Sequence, residues 1–161
     1  MNQAYLLTGG NMGNRRENLA KAFDYINEEC GLVTKASSVY ETAAWGKNDQ
    51  PPFLNQVLEI ETTLTAQQLL RKILMIEKKL GRVREEKYGP RIIDIDILLF
   101  NNEVYDLPAL KVPHPELQNR RFVLVPLAEI AGEIIHPIFK KTITTLLAIC
   151  PDKLEVSAFP V

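Results

Sequence analysis

Apolar and polar residues recur along the first part of the chain with periods that predict a strand, a turn and a helix. A short apolar run at residues 4–8 leads into a glycine-rich stretch at 9–14, which predicts a strand entering a structural turn. Residues 15–30 then carry apolar side chains at helical spacing. Asn14 is placed to cap this helix, and Gly31 is placed to end it in the left-handed conformation.

A period of two returns in the middle of the chain and predicts two strands. Residues 33–40 and 54–64 alternate in polarity and are rich in β-branched side chains, and they flank a predicted loop at 41–53. A capping-box pattern then opens a helix at Thr65, with leucine and isoleucine side chains on one stripe. Gly81 is placed to end this helix.

The remaining elements are shorter. Residues 92–100 predict a strand, 101–102 a tight turn and 103–105 a short return strand. Residues 122–131 and 142–150 have helical periodicity, and proline follows the second segment.

The order of strand, helix, strand, strand, helix and strand is the split βαβ arrangement. We therefore expect an α+β fold in which an antiparallel sheet carries two helices on one face. The C-terminal helices add a third layer to give an α-β-α arrangement. This architecture serves enzymes and binding modules alike, so function has to be argued from particular residues.

Composition limits the class of protein. The 161 residues, of which 46% are hydrophobic and 24% charged, predict a single globular domain over residues 1–161. A formal net charge of -1 gives little basis for binding nucleic acid or an anionic membrane. No secretion signal or membrane span is expected, and the two cysteines have neither metal-site nor disulfide spacing. We expect a cytoplasmic protein.

The glycine-rich stretch at 9–13 follows a strand, as phosphate-binding loops do. It matches neither GxGxxG nor GxxxxGK[ST], so no lysine and hydroxyl are placed for phosphates and magnesium. A structural turn is favoured, and a phosphate cradle is the alternative.

Two aspartates in the predicted strand at 92–100 are the strongest chemical signal. Asp94 and Asp96 alternate with isoleucines, so both project from one face with Cβ atoms roughly 6.6 Å apart. Aspartate is depleted in strands, and a solvated sheet face is the plain explanation. The alternative is a magnesium site, because paired carboxylates can bridge two ions in group transfer.

A basic segment lies directly before these aspartates. Arg82, Arg84, Lys87 and Arg91 fall within eleven residues of an otherwise balanced chain, at 81–91. A solvated surface loop would explain them, but arginine forks bind phosphate oxygens in a bidentate manner. We favour a loop that binds a polyphosphate substrate.

His114 lies between two prolines, and Arg120 follows it by six residues. A lone histidine in this setting is usually a rigid turn residue. A donor to a nucleotide is the alternative.

Aromatic and amide side chains near the loop at 41–53 form a second cluster. Trp45 and Phe53 on a loop would by default pack beside the core. Phe53, Asn55 and Phe122 could instead form a slot, in which a flat heterocycle stacks between rings while the amide binds its polar edge.

Together these segments resemble the 6-hydroxymethyl-7,8-dihydropterin pyrophosphokinase family of folate biosynthesis, and the resemblance extends over almost the whole chain. The segments that carry it are the strand with the turn at 9–13, the loop at 40–55, the run at 77–96, and 112–115 with Arg120 and Phe122. The run at 77–96 is the most specific of them.

The resemblance implies a ferredoxin-like α+β fold and transfer of the β,γ-pyrophosphoryl group of ATP to the hydroxymethyl oxygen of the pterin. It implies that Asp94 and Asp96 hold two magnesium ions and, with Arg82, Arg84 and Arg91, form the catalytic set. The residues it implies for the pterin pocket are Thr42, Trp45, Phe53, Asn55 and Phe122. The residues it implies around ATP are Glu77, Arg84, Tyr88, Arg91, Ile97, His114 and Arg120.

Positions that depart from the family pattern leave the two aspartates intact: Gly10, Ala43, Ala44, Leu74 and Tyr88. The expected partners are ATP and the pterin, with no nucleic acid or membrane. We expect a monomer, with a dimer as the alternative.

The competing functions are a pterin-binding module without turnover and a metal-dependent nucleic-acid enzyme. The balanced charge gives the latter little support.

Overall fold

The computed structural model describes residues 1–43, 51–81 and 92–160. The elements in chain order are strand β1 (Asn2–Gly10), helix α1 (Arg15–Glu29), β2 (Leu32–Ala36), β3 (Tyr40–Thr42), β4 (Phe53–Thr62), α2 (Ala66–Lys79), β5 (Asp94–Phe100), β6 (Tyr105–Leu107), β7 (Leu110–Val112), a 3₁₀ turn (Leu117–Asn119), α3 (Arg121–Ala131), α4 (Ile143–Ala148) and β8 (Ser157–Ala158).

The main sheet is antiparallel and has the order β5-β1-β4-β3-β8, with β2 also paired to β4. The prediction of a single strand at 33–40 is therefore wrong, because β2 and β3 pair separately with β4. The break falls at Ser37, whose N–H donates to the Val57 carbonyl at 2.9 Å while its hydroxyl accepts from the Val57 N–H at 2.9 Å. A side-chain acceptor that replaces a carbonyl lets the backbone leave the strand.

Helices cover both faces of the sheet. Side chains of α1 and α2, including Leu19, Ile26 and Ile73, pack in one core with Leu58 of β4. Side chains of α3 and α4 pack in a second core with Val57, the neighbour of Leu58 that points the other way. The expected mixed α/β arrangement with an antiparallel sheet is confirmed. No helix among the described ranges has both the length and the apolarity needed to cross a membrane.

The predicted helix caps are confirmed, but Gly31 has a different role from the one expected. Asn14 accepts from the Glu17 N–H at 3.1 Å, and both hydrogen bonds of the Thr65 capping box are present. Gly31 is not in the left-handed conformation. A Cβ at this position would overlap the Glu61 carbonyl, so glycine is required for a close approach to β4.

The sheet pairing corrects two further expectations and adds one strand. Strand β1 continues through Gly10, so the turn begins later than predicted. The return strand expected at 103–105 pairs as β6 with β7 in a separate two-stranded sheet. The strand β8, which no sequence pattern predicted, pairs with β3.

Candidate active site

One row of paired residues crosses the sheet where β1 ends and β4 and β5 begin. Gly9 lies opposite Asp94 of β5 on one side and opposite Asn55 of β4 on the other. Asn55 in turn lies opposite Tyr40 of β3. Paired residues on antiparallel strands project to the same face. This is the face that α3 covers, because Leu7, two residues before Gly9, packs in the core with α3.

Gly9 leaves room for the amide of Asn55. A Cβ at position 9 would overlap Asn55 Oδ1, so no other residue fits without displacing that side chain. Asn55 is only 4% exposed. Asn55 and Asp94 are two strands apart, so their Cα atoms are separated by about 10 Å. The Asn55 amide lies over Gly9 between them.

Asp94 and Asp96 project from this same face, as expected. They pair with Gly9 and Leu7, whereas Ile95 and Ile97 between and after them lie in the core under α1 and α2. Both aspartates are half-buried. Within the described part of the chain no group of three or more His, Cys, Asp or Glu side chains could hold a metal. Carboxylate oxygens are the ligands that an ion such as Mg²⁺ prefers, and such an ion keeps water and phosphate oxygens among its other ligands.

Glu77 holds the strand between the two aspartates. Its carboxylate, 2% exposed, accepts a hydrogen bond from the Ile95 N–H at 2.8 Å. Glu77 is the only buried charged residue of α2 and lies near the end of that helix. A buried carboxylate that accepts a backbone N–H fixes the strand more firmly than a neutral acceptor would.

Ile97 reaches the site through its backbone. Its side chain lies in the helix-side core, on the face opposite Asp96. Backbone groups of alternate residues point to the same edge of a strand, so the Ile97 N–H faces the same outer edge as that of Ile95. A contact between Ile97 and a ligand on this edge would therefore be made by the main chain.

His114 lies on the same edge of β5. Its N–H donates to the Leu98 carbonyl at 3.0 Å, and its Nδ1 accepts from the Glu116 N–H at 3.1 Å. Burial, and then the charge of Arg120, lowers the pKa of His114 to about 4, against a smaller opposing effect of Glu116. The imidazole is therefore neutral near pH 7, with its proton on Nε2, and it can donate to a ligand.

Arg120 and Phe122 lie together at the start of α3. The Arg120 guanidinium carbon lies 5.9 Å from the centroid of the Phe122 ring. The buried Nε of Arg120 has no hydrogen-bond partner among the described residues. Buried donors are normally satisfied, so this N–H is suited to an anionic acceptor that arrives with a ligand.

Thr42 and Phe53 form the last pair between β3 and β4. They lie two residues beyond Tyr40 and before Asn55, so both project from the site face. Thr42 is buried and Phe53 is half-buried. The strands thus place a hydroxyl, a ring and an amide side by side.

A model of the family described as 7,8-dihydro-6-hydroxymethylpterin-pyrophosphokinase (HPPK) matches residues 5–132 of this chain. The chain belongs to the HPPK family. The family expected from the sequence motifs is thereby confirmed, and HPPK enzymes use ATP as a co-substrate and bind a pterin.

Named relatives agree with this membership. The chain is similar to the 2-amino-4-hydroxy-6-hydroxymethyldihydropteridine pyrophosphokinase of Aquifex aeolicus, with 48% identity over 141 residues and 88% of each chain covered. The Bacillus subtilis enzyme of the same name is 46% identical over 134 residues, which cover 83% of this chain and 80% of that protein. A crystal structure of Plasmodium falciparum HPPK-DHPS has a TM-score of 0.73 at 19% identity, covering 92% of this chain. This chain spans 43% of that longer one, and the likeness shows the fold.

Some residues that the HPPK resemblance implicates lie outside the described ranges: Trp45, Arg82, Arg84, Tyr88 and Arg91. Of the others, the sheet and α3 bring Thr42, Phe53, Asn55, Asp94 and Asp96 to one face, as described above.

The sequence has no local signal for a contact that links α3 to β3. Glu129 of α3 accepts from the Tyr40 hydroxyl at 2.5 Å and from the Ser38 hydroxyl at 3.0 Å. Burial, followed by this hydrogen bond, raises the pKa of Tyr40 to about 12, so the hydroxyl stays a donor. Tyr40 and Glu129 are 89 residues apart, and only the folded chain brings them together.

Proposed function

We propose that this chain transfers the β,γ-diphosphoryl group of ATP to the hydroxymethyl oxygen of 6-hydroxymethyl-7,8-dihydropterin in folate biosynthesis. The pterin hydroxyl oxygen attacks the β-phosphorus and releases its proton to solvent, the bond from that phosphorus to the oxygen bridging the α-phosphate breaks, and AMP leaves. The observation that carries this proposal is the row in which Gly9 separates the Asn55 amide from the Asp94 carboxylate. This row supports the proposal that a polar-edged ring binds beside a metal-bound phosphate.

On the nucleotide side, Asp94 and Asp96 would hold two Mg²⁺ ions. When bound, the metal neutralises phosphate charge and so favours transfer. Glu77 keeps the strand that carries both aspartates in place through the Ile95 N–H. His114 donates from Nε2, and Arg120 offers a buried N–H to an anionic oxygen. The residues proposed to surround ATP are Glu77, Arg84, Tyr88, Arg91, Ile97, His114 and Arg120.

On the pterin side, hydrogen bonding supplies selectivity and aromatic rings supply affinity. The amide of Asn55 can donate to and accept from the edge of the ring, so analogues that lack this edge would leave a buried amide unpaired. The proposed pterin residues are Thr42, Trp45, Phe53, Asn55 and Phe122. Arg82, Arg84 and Arg91 complete the proposed catalytic set beside the two aspartates, because transfer of this kind depends on positioning and charge neutralisation.

The proposal also covers the fold, the number of domains, the oligomeric state and the location of the protein. The strand order β5-β1-β4 with β2 and β3 beyond it supports a ferredoxin-like βαββαβ core. We propose one domain over residues 1–161, a monomer, and a cytoplasmic location that fits the two reduced, buried cysteines.

The proposal is tested by AMP release with ATP, magnesium and the hydroxymethyl pterin. AMP should form only when all three are present, and Asn55→Ala should raise the pterin KM at least tenfold with little change in the ATP KM. Pterin binding without AMP formation would favour a binding module without turnover. Equal changes in both KM values would show that Asn55 is not the group that binds the pterin edge.

A further inference from the structure

Arg15 of α1 contacts β3 and the residue that precedes β4, next to the Thr42–Phe53 pair. Its Nη1 donates to Oε2 of Glu41 at 2.7 Å and to the Pro52 carbonyl at 2.9 Å. Glu41 directly precedes Thr42, and Pro52 directly precedes Phe53. One nitrogen atom therefore joins the positions next to both members of the pair.

This contact lies on the face opposite the candidate site. Glu41 pairs with Leu54, which lies in the core under α1, whereas Thr42 and Asn55 project the other way. Among the pterin residues that the structure describes, Arg15 thus hydrogen-bonds to none directly. Any effect on the pocket has to pass through the backbone of β3 and β4.

The C-terminal segment covers the arginine. The ring of Phe159 lies 5.4 Å from the Arg15 guanidinium carbon, and the Phe159 N–H donates to the Val39 carbonyl at 2.8 Å. The side chains of Arg15 and Glu41 are 24% and 35% exposed, so their ion pair is partly shielded from water. Shielded pairs with an additional hydrogen bond stabilise more than exposed ones.

The pair that Arg15 supports lies at the end of short strands, and β3 is also held on its other face by Glu129 through Tyr40. Strand β3 is three residues long, and β8, which pairs with it, has two. Short strands contribute little stability of their own. A displacement of β3 relative to β4 would separate the Thr42 hydroxyl from the Phe53 ring.

We propose that Arg15 is a positioning residue for pterin binding, which fixes Thr42 and Phe53 by holding Glu41 and the Pro52 carbonyl from behind the sheet. The proposal rests on the pterin site proposed above and adds a residue outside that site.

Arg15→Met is the test, because methionine keeps an apolar stem and removes the guanidinium. The pterin Kd, measured with saturating magnesium and a non-hydrolysable ATP analogue, should rise about tenfold. The pterin KM should rise with it, while kcat and the ATP KM stay within twofold of the wild type. A purely structural contact would not divide the kinetic constants in this way.

Lys79→Met is the matched control. Lys79 makes the same kind of contact on α2, which does not touch the Thr42–Phe53 pair, with Glu29 at 3.1 Å and the Tyr25 ring at 5.3 Å. This variant should lower the melting temperature to a similar extent but leave the pterin Kd unchanged. An equal rise in Kd for both variants, or a change of less than twofold for Arg15→Met, would overturn the proposal.

Glu41→Gln tests whether the two residues act as one unit. Its Kd should rise by a similar factor, and the Arg15→Met/Glu41→Gln double variant should show no further rise. If the two factors multiply, the residues act independently and the proposal is wrong. If Asn55→Ala leaves the Kd unchanged in the same titration, the pterin site itself is misplaced and the proposal falls with it. If only Asn55→Ala weakens binding, the positioning role alone is overturned.

Discussion

The two faces of the central sheet differ in kind, although the same strands form both. On β4, Leu54, Leu58 and Ile60 face α1 and α2, and all three are completely buried. The alternate residues include Asn55 and Glu59, which face the opposite side. The helix-side face is therefore mainly an apolar core, although Gln56 also lies on it, and the other face contains more of the buried polar groups.

Glu59, a buried polar group on the site face, is held by two partners. Glu59, 6% exposed, accepts from the Tyr5 hydroxyl at 2.5 Å and from the Thr34 hydroxyl at 2.7 Å. Burial, aided by this contact, raises the pKa of Tyr5, so the phenol remains a donor. Successive side chains of a strand point to opposite faces, so one face of the sheet can pack against helices while the other carries the candidate site residues. Mutations on the two faces should consequently change different measurements.

Asp96→Ala should produce the largest effect on the site face. Without this carboxylate the proposed metal site loses half of its protein ligands, and turnover should fall on the order of a thousandfold or more, equivalent to about 4 kcal/mol of transition-state stabilisation. The melting temperature should change little, because Asp96 is half-buried and belongs to neither apolar core. AMP release and thermal unfolding measure the two quantities. Turnover within tenfold of the wild type would contradict the metal role.

Leu58→Ala is the counterpart on the helix-side face. Removal of a completely buried leucine from the core should lower the free energy of unfolding by about 2–5 kcal/mol. The kinetic constants per folded molecule should stay within twofold of the wild type, since Leu58 points away from the site. Urea unfolding and AMP release at low temperature provide both values. A specific loss of pterin affinity would show that the two faces are not independent.

Gly9→Ala should have an intermediate effect that acts through Asn55. The new methyl group would force the amide to rotate out of the row, and the pterin Kd should rise about 10- to 100-fold, or about 1.4–2.7 kcal/mol. The Gly9→Ala/Asn55→Ala double variant should bind no more weakly than Asn55→Ala. Gly132→Ala is the control, because its methyl group would meet the Thr144 hydroxyl at 2.6 Å, far along the chain from the row. A rise in Kd for this control as well would indicate a general loss of packing.

Local patterns predicted much of this site, and long-range pairing produced the rest. The alternation that put Asp94 and Asp96 on one face depends on adjacent residues only, and it is confirmed. Gly9 was expected in a turn, because glycine clusters usually mark turns. Its actual place in β1 follows from its pairing with Asn55, which is 46 residues away by the numbering. No periodicity contains information about such a partner.

The division of the predicted strand at 33–40 into β2 and β3 is also caused by a contact between distant segments. Residues 33–40 have the composition of one strand, and nothing local shows that the Ser37 hydroxyl will take the place of a carbonyl toward Val57. The contact of Arg15 with Glu41 and Pro52 likewise joins α1 to two later strands. Side-chain contacts between distant segments therefore determine the parts of the pocket that the sequence pattern left open.

The smallest expected effect is the contribution of His114 to the pH dependence of stability. It tests whether this proposed nucleotide-binding residue is neutral in the folded protein. Its pKa is lowered from 6.5 to about 4 in the folded protein, so between these values the unfolded chain binds a proton that the native state does not. Stability from this group is complete above pH 6.5 and is lost as the pH falls toward 4, with a slope of at most about 1.4 kcal/mol per pH unit. His114→Gln should flatten the curve of unfolding free energy over this range by up to that slope. His136, whose pKa burial also lowers, is present in both proteins and cancels from the difference. Parallel curves for the two proteins would mean that His114 is not held neutral, and its proposed role as a donor from Nε2 would lose its basis.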